Sequence, residues 1–228
     1  MIEFLFLDLD DTILDFQKAE HIALGKTLEA FGIAPTQRIR ELYHRINKAH
    51  WEMLERGEIT RDQVQLGRFS GLMRQLGIDA DAAQMNQTYM ENLGVGHYFL
   101  PGAEEAVISL SKKYKLYLAS NGTASVQAGR LKSANISHWF QDVFISQDLG
   151  ADKPDKAFFA EAFSRIPGFE KSRAMIAGDS LTSDILGGIN AGIATCWVNP
   201  HHKPGREDIR PDYEIESLTQ LEKLLEII

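Results

Sequence analysis

Short apolar runs, each followed by polar residues, recur along this chain. The first covers residues 4–7 (FLFL) and leads directly into the acidic stretch 8–12 (DLDDT). Three later runs have the same form: residues 116–119 precede 120–122 (SNG), residues 143–146 precede 152–154 (DKP), and residues 174–177 precede 178–180 (GDS). Unbroken apolar runs of this length are typical of strands buried on both faces. We therefore predict four buried strands with polar residues at their carboxyl ends.

From about residue 98 onward, strand patterns alternate with helix patterns, which predicts βαβ units and a parallel sheet. The residues Asn121 and Gly122 could form a hairpin turn, but the segment after them has a helix pattern, so we reject the hairpin. Further strands are predicted at 194–198 and 213–215. Helices are predicted at 104–113, 123–134, 156–165, 181–191 and from residue 218 onward.

Residues 16–96 contain no convincing strand pattern. Four helix patterns follow one another there, at 17–31, 37–55, 61–76 and 81–93, separated by glycines. Thr60 and Gln63 have the spacing of a capping box at the start of the third helix. We therefore predict an α/β domain formed by residues 1–15 and 97–228, with an all-helical domain, residues 16–96, inserted into it.

The composition is that of a globular protein with a buried core, at 44% hydrophobic and 25% charged residues. The formal net charge of −8 argues against a nucleic-acid partner, which needs clustered Lys and Arg. It leaves room for a small anionic substrate, because a bound divalent cation and one lysine can reverse the local charge. The one cysteine, Cys196, lies in a predicted strand and is expected to be buried and inert.

No run is long and apolar enough to predict a membrane span, and the short N-terminal apolar run has no basic segment before it. We expect a cytoplasmic protein with no membrane partner, either monomer or homodimer. His201 and His202 have no further metal ligands at suitable spacing, so we expect them to belong to a loop.

The acidic stretch after the first strand is the strongest chemical signal. Asp8 and Asp10 lie two positions apart, so on an extended chain their side chains point to the same side. Two unit charges about 4 Å apart repel by about 4 kcal/mol at an effective dielectric of 20. Such a cluster therefore requires a metal ion or a shared proton. The carboxyl end of a strand is also where an open α/β sheet places its active site.

Four elements occur in the order DxDxT, S-N-G, K-P and GDSxxxD, each at a predicted strand end. This ordered set resembles the haloacid dehalogenase superfamily of aspartate-nucleophile phosphohydrolases, and the resemblance covers essentially the whole chain. It implies an α/β fold with a Rossmann-like parallel sheet. It also implies that the inserted helices are a cap domain of the C1 type.

The same resemblance implies roles for the acidic residues. Asp8 would attack the phosphate ester and form an acyl phosphate, and Asp10 would act first as an acid and then as a base on water. Asp8, the backbone carbonyl of Asp10 and Asp179 would hold Mg²⁺, with Mn²⁺ as a substitute. Asp184 would hold a metal-bound water or orient Lys153.

Three more residues are candidates for binding the phosphate group. Ser120 and Asn121 precede a predicted helix, where free backbone N–H groups favour an anion. Either could instead be a helix cap. Lys153 could offset the charge that develops on the transferring phosphoryl oxygens. Outside the ordered set, we would expect Lys153 to be an ordinary surface residue.

The residues from Asp184 to His202, together with part of the helical segment, resemble the pyrimidine 5′-nucleotidases of the YjjG and YfnB type. The resemblance implies that the substrate is a pyrimidine nucleoside monophosphate such as dUMP, dTMP or UMP, including non-canonical ones. Trp51 and Phe69 could stack on the base, or they could pack the core of the helical domain. Asn47 and Arg68 could hydrogen-bond the edge of the base.

Other functions remain open at this stage. A phosphoglycolate or sugar-phosphate phosphatase would keep every motif. A 2-haloacid dehalogenase needs neither magnesium nor an acid for an alkoxide leaving group, so Asp10 disfavours it. Outside enzymes, a phospho-accepting receiver domain is near half this length and lacks the helical insertion. A catalytically silent binding protein would lack one of the motif residues, and none is missing here.

Overall fold

The computed structural model describes residues 1–228. The chain forms two compact units. One consists of Met1–Phe16 and His97–Ile228 and contains the whole β-sheet. The other, Gln17–Gly96, is helical. No helix is both long enough and apolar enough to cross a membrane.

The sheet has six parallel strands in the spatial order β3-β2-β1-β4-β5-β6. The strands are β1 (Phe4–Leu7), β2 (Lys115–Ser120), β3 (Asp142–Ile145), β4 (Ala174–Gly178), β5 (Ala194–Val198) and β6 (Tyr213–Ile215). The parallel sheet predicted from the alternating pattern is therefore confirmed. Every predicted strand is present, within about one residue at each end.

Helices connect the strands and form the inserted unit. They are α1 (Phe16–Ala30), α2 (Gln37–Glu55), α3 (Arg61–Leu76), α4 (Ala82–Leu93), α5 (Ala103–Ser111), α6 (Ala124–Ala134), α7 (Ser146–Leu149), α8 (Lys156–Ser164), α9 (Leu186–Ala191) and α10 (Leu221–Leu225). The sequence pattern did not predict α7, which begins where the third strand run ends. The helix predicted at 181–191 is a π-helical turn, Leu181–Ile185, followed by α9. The last predicted helix begins as a 3₁₀ turn, Leu218–Gln220.

The first strand lies in the interior of the sheet and is buried on both faces. Leu5 and Leu7 belong to one hydrophobic cluster, and Phe4 and Phe6 belong to the cluster on the other face. All four side chains are at most 1% exposed. Burying a side chain of this size stabilises the fold by about 1.5–3 kcal/mol. This explains why the first run is apolar without interruption.

The strand register brings the polar strand ends together. Leu7 pairs with Leu118 of β2 on one side and with Ala177 of β4 on the other. Residues that follow these positions therefore reach the same edge of the sheet. This edge is the carboxyl edge at which open α/β sheets bind ligands.

The helical unit is built from α1 to α4. Thr60 accepts a hydrogen bond from the backbone of Gln63, whose side chain bonds back to Thr60, so the predicted capping box is confirmed. Tyr43, Phe69 and Tyr89, one from each of α2, α3 and α4, are fully buried with ring centroids 5.2 to 5.7 Å apart. Aromatic contacts at this spacing add about 0.5–1.5 kcal/mol beyond burial.

Cys196 is a free, buried thiol in β5, as the sequence predicted. Burial raises the pKa of this thiol to about 12. The thiolate is the reactive form of cysteine, so Cys196 is inert at neutral pH. His201 and His202 are exposed in the loop after β5, as expected.

Candidate active site

Lys153 joins two of the predicted acidic residues at the carboxyl edge of the sheet. Its Nζ donates hydrogen bonds to Oδ1 of Asp8 at 2.8 Å and to Oδ1 of Asp184 at 2.6 Å. A third bond, of 2.6 Å, goes to the backbone carbonyl of Ala119. The three donors of an ammonium group match these three acceptors. Lys153 is only 1% exposed, so it is not the surface residue that an isolated lysine would be.

Burial and the charge of the partner have opposite effects on the pKa values of Asp8 and Lys153. Burial raises the pKa of Asp8 well above its ordinary range, and the carboxylates of Asp184, Asp10 and Asp179 add to the effect of burial, while the charge of Lys153 opposes it. Burial alone would lower the pKa of Lys153, but Asp184 and Asp8 raise it above its ordinary value. Lys153 therefore carries a proton at neutral pH, and its charge is what favours an ionised Asp8.

Asp179 follows β4 and completes a group of three carboxylates. One oxygen each from Asp8, Asp179 and Asp184 lies within 4.8 Å of the others. Trp197 Nε1 donates a 2.9 Å hydrogen bond to the backbone carbonyl of Asp179, which holds the turn after β4. Burial, with the charges of Asp184 and Asp11, raises the pKa of Asp179 to about 7.

These residues fit a hard divalent cation. All three side chains offer carboxylate oxygens, the ligands that Mg²⁺ prefers. The cation nearest to Asp179 is Lys203, whose Nζ is 4.0 Å from Oδ2 and mostly exposed. Burial is the largest cause of the raised pKa of Asp179, and the charges of Asp184 and Asp11, which Lys203 and Lys153 offset only in part, add to it. A bound divalent cation would neutralise it.

A glycine makes room for Asp184. A Cβ atom on Gly178 would lie 2.2 Å from Oδ2 and 2.3 Å from Cγ of Asp184. The same carboxylate accepts a 3.1 Å hydrogen bond from the backbone N–H of Ser180. Because Asp184 lies against the backbone of its own motif, its other oxygen reaches Lys153. This contact corresponds to one of the two roles that the sequence left open for Asp184.

Asn121 ties two loops together through its side chain. Its Nδ2 donates to the backbone carbonyl of Lys153 at 2.7 Å and to Oγ of Ser183 at 3.1 Å. Its Oδ1 accepts a 2.8 Å bond from the backbone N–H of Lys153. The peptide bond between Lys153 and Pro154 is cis. Asn121 therefore positions the backbone of Lys153.

Asp10 is held by two residues that the motif analysis missed. Gln127 Nε2 donates 2.8 Å hydrogen bonds to Oδ2 of Asp10 and to Oγ of Ser120. Arg130 Nη1 donates to Oδ1 of Asp10 in a close ion pair. Since the Ser120 oxygen accepts from Gln127, its own O–H can donate to another acceptor.

The buried face of α6 carries the sequence signal for both residues. Gln127 and Arg130 share the buried face of this helix with Val126 and Leu131. Polar residues at apolar-face positions are expected to be paired in the interior.

The four residues proposed for the helical unit have different environments. Asn47 Nδ2 donates to Oε1 of Glu20 at 2.9 Å, and its Oδ1 accepts from Nη1 of Arg68 at 3.4 Å. Arg68 Nη2 donates to Oδ1 of Asn86 at 2.7 Å. Asn47 and Arg68 are both at most 5% exposed. Their polar groups therefore connect α1, α2, α3 and α4, which disfavours the prediction that they hydrogen-bond the edge of a base.

Phe69 and Trp51 differ in exposure. Phe69 is fully buried between Tyr43 and Tyr89. It therefore packs the core, which was one of the two alternatives, and it presents no surface on which a base could stack. Trp51 is partly exposed, and Cζ of Arg61 lies 5.5 Å from the centroid of its ring. Of the two predicted aromatics, only Trp51 has a face that a ligand could reach.

Comparison with known proteins shows which family this chain matches. Residues 5–198 match the family model described as haloacid dehalogenase-like hydrolase. The protein YfnB of Bacillus subtilis, named a HAD-hydrolase, is 42% identical over 223 residues, which are 98% of this chain and 95% of YfnB. The crystal structure of YfnB bound to magnesium superimposes with a TM-score of 0.94 at 41% identity and covers 98% of each chain. That structure reveals an interdomain movement in YfnB.

Two further relatives are named for an activity. The pyrimidine 5′-nucleotidase PynA of Streptococcus pneumoniae is 40% identical over 220 residues, which are 96% of this chain and 93% of PynA. The pyrimidine 5′-nucleotidase YjjG of Escherichia coli is 31% identical over 223 residues, which are 98% of this chain and 97% of YjjG. Both similarities cover nearly the whole chain and therefore extend over both of its units.

Proposed function

Because the chain belongs to the haloacid dehalogenase-like hydrolase family, we propose that it hydrolyses phosphomonoesters, and specifically pyrimidine nucleoside 5′-monophosphates. The observation that carries the chemistry is the buried contact between Lys153 and Asp8 beside the carboxylates of Asp179 and Asp184. The substrate proposal is supported by the names of two relatives that are similar over nearly their full length.

We assign the attack on phosphorus to Asp8. Its carboxylate oxygen forms a bond to phosphorus while the bond between phosphorus and the ester oxygen breaks, which produces an aspartyl phosphate and an alcohol. The Lys153 ammonium favours the ionised form of Asp8 in a buried environment. It also offsets negative charge on the phosphoryl oxygens as the bonds change.

Asp10 handles the protons in both steps. In the first step its carboxyl group gives a proton to the departing ester oxygen. In the second step its carboxylate takes a proton from water while the water oxygen bonds to phosphorus and the Asp8 carboxylate is released. Ser120, whose hydroxyl hydrogen is not committed to Gln127, is assigned to the phosphate oxygens, together with the backbone N–H of Asn121.

Asp8, Asp179 and the backbone carbonyl of Asp10 would hold Mg²⁺, with Mn²⁺ as a substitute. When bound, the cation supplies positive charge that screens the repulsion between carboxylates and phosphate. Asp184 is assigned to Lys153 and to metal-bound water.

Base selection is assigned to the helical unit through Trp51. Its partly exposed ring can stack on a pyrimidine, and stacking of a base on an aromatic side chain is worth about 1–3 kcal/mol. Asn47, Arg68 and Phe69 act indirectly in this proposal, by holding α2, which carries Trp51, against the neighbouring helices. A cytoplasmic location and a monomeric or homodimeric state stay predictions.

The test is phosphate release from dUMP, dTMP, UMP, AMP, phosphoglycolate and glucose 6-phosphate, with Mg²⁺ and with EDTA. We expect magnesium-dependent turnover that prefers the pyrimidine monophosphates, and none from the Asp8→Asn variant. Preference for phosphoglycolate or a sugar phosphate would support the proposed phosphomonoester hydrolysis and reject pyrimidine nucleotides as the substrate. Turnover by the Asp8→Asn variant would reject the covalent mechanism.

A further inference from the structure

Both carboxylate oxygens of Asp10 accept hydrogen bonds from side chains of α6. Gln127 donates to Oδ2 at 2.8 Å, and Arg130 donates to Oδ1. We propose that Arg130 and Gln127 are positioning residues, which hold the Asp10 carboxylate in the orientation needed for proton transfer. This inference rests on the proposed function of Asp10 as the acid and base of phosphomonoester hydrolysis.

The burial of Arg130 indicates that its contact with Asp10 is an integral part of the site. Its side chain is fully buried, whereas the Asp10 side chain keeps 28% of its surface exposed. Burying a guanidinium group is costly unless it is paired with an acceptor. The Cζ atom also lies 5.6 Å from the ring centroid of Phe16, a distance at which the cation is attracted by the ring. Arg130 thus contacts Phe16, the first residue of α1, as well as Asp10 itself.

Gln127 connects Asp10 to Ser120, one of the candidates for binding phosphate. Its Nε2 bonds to Ser120 as well as to Asp10, and its Oε1 accepts a 3.3 Å bond from Nη1 of Arg130. The side-chain amide therefore has one orientation that satisfies all its partners. Asp10, Ser120 and Arg130 are held in one fixed arrangement around it.

The glycine of the S-N-G motif is needed for this arrangement. A Cβ atom on Gly122 would lie 2.3 Å from Cγ and 2.4 Å from Nε2 of Gln127. Any larger residue at this position would displace the amide from Asp10. This gives Gly122 a role that neither phosphate binding nor a turn requires, and it connects the second motif to the general acid.

Orientation should matter most when the leaving group needs a proton. The alkoxide that leaves a nucleotide must be protonated as the ester bond breaks, whereas p-nitrophenolate leaves without one. A misplaced acid or base loses about 10²-fold in rate. A residue that acts through Asp10 should therefore affect release of the nucleoside more than release of p-nitrophenolate.

The experiment compares single-turnover release of deoxyuridine from dUMP and of p-nitrophenolate from p-nitrophenyl phosphate. The variants are Arg130→Met and Gln127→Met, alone and combined with Asp10→Asn. Arg165→Met removes an exposed arginine paired with Glu161 and serves as the matched control. Melting temperatures report folding, and Arg130→Lys, which keeps a charge and a donor, covers the case in which Arg130→Met does not fold.

We expect Arg130→Met and Gln127→Met to slow deoxyuridine release by about 10²-fold and p-nitrophenolate release by less than about 5-fold. In the Asp10→Asn background they should add no further loss, and Arg130→Lys should recover part of the rate. Equal losses on both substrates, or a further loss in the Asp10→Asn background, would overturn the positioning role while leaving the proposed function intact. Unchanged deoxyuridine release in Asp10→Asn alone would overturn both.

Discussion

Nζ of Lys153 donates a 2.6 Å hydrogen bond to Oδ1 of Asp184, and both side chains are 1% exposed. A buried ion pair of this kind costs desolvation on both sides, so its net contribution to stability is small. Removing one partner is different, because the other charge stays buried and uncompensated.

Lys153→Met should therefore damage both stability and turnover. We expect a loss of about 3–5 kcal/mol in the free energy of unfolding, because Asp8 and Asp184 lose their shared cation. We also expect turnover to fall by at least about 10²-fold. Urea unfolding and phosphate release measure the two effects. Lys132→Met, which changes an exposed lysine of α6, should alter neither. A stable, active Lys153→Met protein would contradict the role assigned to the pair.

Asp179 should make the metal-free protein less stable as the pH rises. Its pKa is about 7 when folded and 3.8 in the reference state, so between these values the folded form binds a proton that the unfolded form does not. Stability from this group is complete below about pH 4 and is lost as the pH rises through 7. At about 1.4 kcal/mol per pKa unit, the loss amounts to a few kcal/mol.

The Asp179→Asn variant isolates this effect. In EDTA it should be a few kcal/mol more stable than the wild type at pH 7.5, and the difference should shrink to about 1 kcal/mol at pH 4.5, as measured by urea unfolding. Added Mg²⁺ should stabilise the wild type by about 2.7 kcal/mol at a hundredfold excess over Kd and the variant much less. A pH-independent difference between the two proteins would show that the Asp179 carboxylate does not titrate in this range.

Arg68→Met should destabilise the helical unit and leave nucleotide binding largely unchanged. Asn86 and Asn47 would each lose a buried hydrogen-bond donor, at about 1–3 kcal/mol for each group left unsatisfied. Thermal unfolding and the KM for dUMP separate the two roles. Arg74→Met, which alters an exposed arginine of the same helix, is the control. A KM that rises at least about tenfold without loss of stability would return Arg68 to the base-binding residues.

Trp51→Ala should raise the KM for dUMP by about 5- to 150-fold, the loss expected for about 1–3 kcal/mol of stacking. The KM for p-nitrophenyl phosphate should change much less, because this substrate carries no base. Trp51→Phe should recover most of the affinity, since it restores an aromatic face. Equal increases on both substrates would exclude stacking on the base.

Local sequence was sufficient for most of the fold. The run at residues 4–7 predicted a doubly buried strand, and the structure confirms it with Leu and Phe side chains on opposite faces. The capping box at Thr60 predicted the first residue of α3. These features depend on neighbours within a few positions, so propensity and periodicity are enough to predict them. The sequence pattern did not indicate the π-helical turn before α9.

The partners of the acidic residues were decided by tertiary structure. The sequence pattern indicated that Asp8, Asp10, Lys153 and Asp179 follow strands, and hence that they meet at one edge of a parallel sheet. It did not determine that Arg130, 120 positions after Asp10, would form an ion pair with that carboxylate. Nor did it determine that the side-chain amide of Asn47 would donate a hydrogen bond to Glu20 and not to a ligand. The positions of the strands along the chain follow from the local pattern, whereas the pairing of buried polar groups depends on which helix faces pack together.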